Sequence, residues 1–265
     1  MDFPQPAVVR IEEGSSVRSV SLKLKSEKII RSRTIFEGFV VLYGGEKRLI
    51  PSDYLFETKT PVFEVARRIA KGETGLPPNS VTIPEGFTRE EIAQALAAKL
   101  SSFDKVKFTA MTKDKEGYLF PDTYFFLSGD NEETAVKLMT ENYEKKVAPL
   151  RPEIAAQNKT EKDIIIMASL IEGEANGDTD RGYISGILWR RLSIGMALQV
   201  DVAMETYKSR GLPKAPIGNP GLESIKAAIH PVKSNYLYYL HDPQGNIHYA
   251  TSFEEHKQNK LKYLK

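Results

Sequence analysis

The chain has no cysteine. Disulfides, thiolate metal sites and cysteine nucleophiles are therefore excluded, and either a reducing or an oxidising compartment would suit it. Histidine is scarce: His230, His241, His248 and His256. None forms an HExxH pair and none stands with carboxylates at ligand spacing, so no metal and no cofactor is expected. The glycine clusters Gly44-Gly45 and Gly218-Asn219-Pro220-Gly221 lack the spacing and the lysine of a phosphate-binding loop. A Gly-x-Ser-x-Gly nucleophile elbow is also missing. Formal net charge is only +2 and the basic residues are scattered, which argues against a nucleic-acid partner. There is no run of ~18 apolar residues to span a membrane, and no signal peptide. The opening Met1-Asp-Phe-Pro-Gln-Pro6 reads as the start of a shortened chain. A single-pass N-terminal membrane anchor is expected to precede it.

What is present is a 265-residue chain, 41% hydrophobic and 27% charged, with the composition of an ordinary globular protein. A prior of ~150 residues per domain suggests two domains, and the length is ample for a sizeable core. The pattern predicts an α+β fold. Val8–Glu12 alternates as a short strand, and Ser16–Leu24 carries Val17, Val20 and Leu24 at helical spacing. Thr34–Leu42 and Glu46–Ile50 read as strands around Gly44-Gly45. Thr60 is expected to cap a helix over 60–70, with Pro61 at its first position and Lys71-Gly72 at its end. The break Leu76-Pro77-Pro78-Asn79 is the first expected boundary. A strand at Val81–Ile83 and a turn at Glu85-Gly86 follow. Then comes a helix with a capping box between Thr88 and Glu91.

Further on, Asn131–Val147 reads as a helix, and Asp178-Thr179 opens another. Gly195–Asp201 reads as strand-like. Asn219 and Pro220 are expected to cap a helix running to Ile229. Tyr236–Leu240 and Ile247–Thr251 should form a hairpin, and Ser252 opens a last helix. Strand, Glu-Gly turn and capped helix recur near Ile11 and Ile83, a weak internal repeat. Such a unit resembles the LysM module, which binds glycan chains; plain α+β packing explains it as well. The expected division is a LysM-like part over 7–76, a second such segment over 77–105, and a further domain over 106–265.

The stretch Thr160-Glu-Lys-Asp-Ile-Ile-Ile-Met-Ala-Ser-Leu-Ile-Glu-Gly-Glu-Ala175 organises the second half. Thr160 and Asp163 signal a capped start. From Ile164 to Ile171 every residue but Ser169 is apolar, which predicts a helix buried on all sides. Glu172 shares a face with Ala168 and Ser169, whereas Glu174 points about 160–200° away. Burial and the negative helix end both disfavour a charged Glu172, as a general acid requires. The competing reading is a carboxylate that ends the helix and reaches water.

Glu116, Asp122, Glu172, Glu174, Gln199, Asp201 and Asn219, together with the aromatics of Tyr118–Phe126, have the composition of a carbohydrate cleft; for several of those aromatics core packing is the better account.

The motifs Glu116-Gly-Tyr-Leu-Phe-Pro-Asp-Thr-Tyr124, Ala168-Ser-Leu-Ile-Glu-Gly-Glu174, Leu198-Gln-Val-Asp201, Gly211-Leu-Pro-x-x-Pro-Ile-x-Asn-Pro-Gly221 and Ala250-x-Ser-x-x-Glu-His256 occur in this order. Together they resemble the YceG-like endolytic murein transglycosylase family (MltG), over nearly the whole chain. The resemblance implies a YceG-like α+β catalytic domain after a LysM-like part. It places the catalytic glutamate on Glu172. Glu116, Tyr118, Gln199, Asp201, Asn219 and His256 fall at other motif positions, as cleft or support residues. The implied substrate is peptidoglycan, cut between MurNAc and GlcNAc with 1,6-anhydroMurNAc as product, at the extracytoplasmic face of the plasma membrane beside peptidoglycan synthases. Val200, Val202 and Ala203 depart from the family pattern, and Thr206-Tyr207 follows Asp201 closely, so the loop there is expected to be short. Two alternatives stay open: a hydrolase pairing Glu172 with Asp201 or Glu116, and a non-catalytic glycan-binding envelope protein.

Overall fold

The computed structural model describes residues 6–45, 49–100, 103–127, 129–175 and 177–264. The chain divides into two compact units. One comprises Met1–Val81, Ala95–Asp104 and Thr123–Ala135; the other comprises Thr82–Gln94, Lys105–Asp122 and Val136–Lys265. Set against the expected boundaries, 7–76 falls wholly in the first unit. Residues 77–105 are shared, and 123–135 join the N-terminal part.

In the first unit Ala7–Ile11 (β1) is followed by two helices, Val17–Ser26 (α1) and Arg33–Leu42 (α2), and by Ser52–Phe56 (β2). The strands pair antiparallel, with Val9 opposite Tyr54. Ser16 caps α1 by accepting a hydrogen bond from the Ser19 N–H at 3.0 Å. A third helix, Val62–Lys71 (α3), ends at Gly72 in the left-handed conformation. Val9, Leu24, Phe36, Val40, Tyr54, Phe56 and Ile69 form the buried centre. Truncating a fully buried phenylalanine such as Phe36 to alanine would cost about 3–5 kcal/mol. Asn79–Thr82 (β3) pairs with Thr123–Phe126 (β4).

The helix Arg89–Ala97 (α4) carries the Thr88/Glu91 capping box, with the Thr88 N–H donating to Glu91 Oε2 at 2.8 Å. Then follow Lys105–Met111 (α5), Glu132–Val147 (α6, whose residues from Val136 on belong to the second unit), Arg151–Ala156 (α7) and Glu161–Glu174 (α8). Asp178–Ser193 (α9) and Leu222–Ile229 (α10) pack on α8. The hairpin Tyr238–His241 (β5) and Ile247–Ala250 (β6) and the helix Phe253–Tyr263 (α11) complete the chain. α8 has a capping box between Thr160 and Asp163, and Ile164–Ile171 are all buried. Ser169, the polar residue in that run, donates to the Ile166 carbonyl at 2.8 Å and accepts from the Ile217 N–H at 3.1 Å. That second contact pins the long Gly/Pro loop to the buried helix.

Several sequence expectations are corrected. Thr34–Leu42 is helical, because Phe36 and Val40 sit one turn apart on the buried face and Ser32 caps the start; the β-branched run obscured that period. The strand after the glycines lies at Ser52–Phe56; Glu46–Arg48 are outside the described residues. Pro61, not Thr60, is the N-cap of α3, and Thr60 Oγ1 donates to the Thr58 carbonyl instead. Gly195–Asp201 forms no strand. Gln199 takes a left-handed backbone (φ 52), which breaks an extended run there, and Arg191 Nη1 donates to the Leu198 carbonyl. Gly221 is the N-cap of α10, so Asn219 does not cap it.

Candidate active site

Glu172 lies in the last turn of α8, and its side chain is only 7% exposed. Each carboxylate oxygen has a donor. Arg181 Nη2 of α9 approaches Oε1 at 3.1 Å, and the Gly221 N–H donates to Oε2 at 2.9 Å. Gly221 begins α10, so the carboxylate sits at the positive end of that helix dipole. A guanidinium and the N-cap amide of a second helix thus meet one buried carboxyl. Arg181 is positioned in turn by its Nε, which donates to Ser224 Oγ at 3.0 Å.

A strap, residues 84–87, lies along the loop 218–221. The Gly86 N–H donates to the Asn219 carbonyl at 2.8 Å and the Asn219 N–H to the Phe87 carbonyl at 2.9 Å. The approach is tight enough that a Cβ on Gly218 would overlap the Gly86 carbonyl oxygen, and one on Gly221 would overlap the Glu85 carboxylate. Glu85 Oε2 lies 3.7 Å from the same Arg181 Nη2 that holds Glu172.

The fully buried Asn219 accepts from the Leu119 N–H at 2.9 Å. Its Nδ2 donates to the Phe87 carbonyl at 2.9 Å and to Glu116 Oε1 at 2.8 Å. Glu116 also accepts from the Arg89 N–H, at the start of α4, at 3.2 Å. Burial pushes the Glu116 carboxyl above its ordinary range, against the pull of those donors. Tyr118 packs edge-on against Tyr143, ring centroids 5.1 Å apart, on the margin of the core.

Glu174 leaves the other side of the helix end. Its oxygens accept from the Asp201 N–H and the Tyr239 hydroxyl, both at 2.8 Å. These residues line a second cleft of about 490 Å³ together with Arg191, Gln199, Tyr207 and His256. The Tyr207 hydroxyl donates to Asp201 Oδ1. Burial pushes the Arg191 guanidinium and the His256 imidazole down, and burial beside Glu174 pushes the Tyr239 phenol well up. His256 stacks on Tyr238, and its buried Nδ1 has no hydrogen-bond partner among the described residues. The loop after Asp201 is short and closed on itself: Thr206 Oγ1 accepts from the Val200 N–H at 2.9 Å. Among the described residues no three His, Asp or Glu side chains are grouped to hold a metal ion. No helix among them is long and apolar enough to cross a membrane.

The model of the YceG-like family matches residues 9–205 and 203–262. The chain belongs to the YceG-like family. This YceG-like chain is 28% identical to an endolytic murein transglycosylase of Bacillus subtilis (strain 168), over 97% of the chain and 84% of that relative. A protein of the same description from Streptococcus pneumoniae serotype 2 (strain D39) is 26% identical over 97% of the chain, which spans 58% of that longer relative. A crystal structure of a yceG-like protein from Listeria monocytogenes superposes with a TM-score of 0.63 at 28% identity, covering 96% of this chain and 99% of that one. Within the YceG-like chain the motif residues fall into separate groups. Glu116 and Asn219 join the strap and loop at Glu172, Gln199, Asp201 and His256 line the second cleft with Glu174, and Tyr118 is at the core margin. Arg181 and Glu85, which both approach Glu172 or its partner, fall outside every motif quoted above: Glu85 stands in a Glu-Gly turn, and Arg181 three residues into a helix with no further signal.

Proposed function

We propose that this chain is an endolytic murein transglycosylase that cuts peptidoglycan glycan strands between MurNAc and GlcNAc. The observation that carries the proposal is Glu172, a buried carboxyl at the end of a buried helix, anchored at both oxygens in a YceG-like chain. The names of the B. subtilis and S. pneumoniae relatives support it. Glu172, carrying a proton, gives it to the glycosidic oxygen as the C1–O bond breaks. The carboxylate then accepts the proton of the MurNAc C6 hydroxyl as that oxygen bonds to C1. The product is a 1,6-anhydroMurNAc end, the acid is regenerated and no water is consumed. A glycosidase of the usual kind needs a second carboxylate to attack or to activate water; here a tethered hydroxyl does so with the advantage of an intramolecular nucleophile. Of the carboxylates considered for a hydrolase, Asp201 lies on the other side of the helix end, bonded to Tyr207 and Glu174, and Glu116 accepts from Asn219.

In this reading residues 7–76 position the glycan. The second cleft, with Gln199, Asp201 and His256, holds a neighbouring part of the strand. The protein works at the extracytoplasmic face of the plasma membrane, held by an N-terminal anchor beside peptidoglycan synthases. Mass spectrometry of digested, uncrosslinked glycan strands tests it. Anhydro ends are expected. Reducing ends would move the assignment to a hydrolase, and intact strands to a glycan-binding protein.

A further inference from the structure

Charged side chains of both signs line the second cleft: Arg191 and Lys260, Glu174 and Asp201. Among the described residues none of the four is in an ion pair. Arg191 is the sharpest case. It is only 5% exposed, and its donors go to neutral acceptors, Nε to the Leu237 carbonyl at 2.7 Å and Nη1 to the Leu198 carbonyl. Its Cζ lies 5.2 Å from the centroid of the Tyr238 ring. Two carbonyls fix the plane of the guanidinium but bring no counter-charge, and a buried cation without an anion is costly. The buried His256 stacks on the same Tyr238 ring, centroids 5.2 Å apart, with its Nδ1 unpartnered among the described residues. The two carboxylates adjoin each other and also meet only neutral donors. Glu174 accepts from the Asp201 N–H and the Tyr239 hydroxyl, and Asp201 from the Tyr207 hydroxyl.

Each set of charges thus lacks its opposite, and a cleft of about 490 Å³ is in the size range of small-ligand sites. A purely anionic ligand would suit Arg191 and be repelled by Glu174 and Asp201. A purely cationic one would meet the reverse. An uncharged sugar would leave both sets as they are. A ligand carrying an ammonium and a carboxylate answers both. We propose that the second cleft binds a peptide bearing one free ammonium and one free carboxylate. The carboxylate sits on Arg191, whose planar fork matches it, and the ammonium sits on Glu174 and Asp201. In the proposed function this ligand is the peptide branch of the same peptidoglycan strand; that attachment rests on the proposed function, whereas the charge pattern does not.

The test is binding of the tripeptide Nα-acetyl-lysyl-alanyl-alanine to the full chain, followed by NMR titration. This peptide carries one ammonium and one carboxylate. Its C-terminal amide keeps only the ammonium, and its Nε-acetyl form keeps only the carboxylate. The doubly charged peptide should bind about tenfold more tightly than either, the effect of one charge-assisted hydrogen bond. Asp201→Asn, checked for folding by circular dichroism, should remove most of the gain that the ammonium gives. Arg191→Gln should remove the gain from the carboxylate; should that variant not fold, the peptide series on the unchanged protein still decides. Equal binding of the three peptides, no binding of any, or an ammonium preference that survives Asp201→Asn overturns the proposal. The uncharged sugar chain chitotetraose should not displace the peptide, and displacement would give the cleft to the glycan and overturn the proposal too. Binding is read without cleavage, so the two levels fail separately. Selective peptide binding by a chain that makes no anhydro ends leaves the cleft assigned and removes the proposed function. Anhydro ends from a chain that does not discriminate among the peptides remove only the assignment of the cleft.

Discussion

Asn219 Nδ2 donates to Glu116 Oε1 at 2.8 Å across a separation of 103 residues in the chain. The same amide group accepts from Leu119 and donates to Phe87, so one buried side chain joins the strap, the Glu116 turn and the loop that supplies the Gly221 amide to Glu172. Removing it leaves buried partners without hydrogen bonds. Asn219→Ala should lose about 3 kcal/mol of stability, given ~1–3 kcal/mol for each buried polar group left unsatisfied. Urea unfolding measures this. Cleavage should fall as well, because the strap no longer fixes the loop; a variant of parental stability would refute the account.

Glu172→Gln keeps the shape of the side chain and removes the transferable proton. It should fold normally by circular dichroism and lose roughly 10²–10⁴ in kcat/KM. Glu174→Gln should keep much more activity, since Glu174 contacts Asp201 and Tyr239 and not the Arg181 cluster. Equal loss in both variants would show that the two sides of the helix end are not functionally distinct.

The two glycines at the strap should respond differently to alanine. At Gly218 the new Cβ meets the backbone oxygen of Gly86, which moves only if the strap moves. Gly218→Ala should cost about 2 kcal/mol, in the range for overpacking a tight site, and should reduce cleavage. At Gly221 the obstacle is the Glu85 side chain, which can swing aside. Gly221→Ala should therefore unfold close to the parent in a thermal melt, and the reverse order would count against the packing argument.

The hairpin turn carries its own pH dependence. Asp242 accepts from the Gln244 and Asn246 backbone N–H groups, from Asn246 Nδ2 and from His248, and these donors hold its carboxyl down at about 2. With a folded value below the unfolded one of ~3.9, its contribution is present above that value and is lost as pH falls towards the folded one. The destabilisation caused by Asp242→Ala should be largest near neutral pH and shrink by pH 3. A constant difference between the parent and variant melting midpoints would show that the ionised form has no special role in the turn.

The local elements were legible wherever one short-range signal decided them. Thr160 and Asp163 start α8, and a run from Ile164 to Ile171 with a single hydroxyl could only be buried. The 3.6-residue period also sets Glu172 and Glu174 on different sides, as their partners show. Where signals conflicted, tertiary packing chose: the β-branched run at Thr34–Leu42 became α2 because Phe36 and Val40 had a core to enter. The division of the chain was decided by folding alone. Residues 123–135 belong with the N-terminal unit, so a fragment begun at Leu76 would strand β4 away from most of the unit it helps to build. The surroundings of Glu172 were equally out of reach. Arg181 is nine residues on and Gly221 forty-nine, while Glu85 comes from far upstream, and no spacing along the chain says that the three meet at Glu172. The sequence determined that a carboxyl would stand at the end of a buried helix. Only the tertiary structure decided which charges would meet it there, because Coulomb and hydrogen-bond energies depend on distance in space and not along the chain.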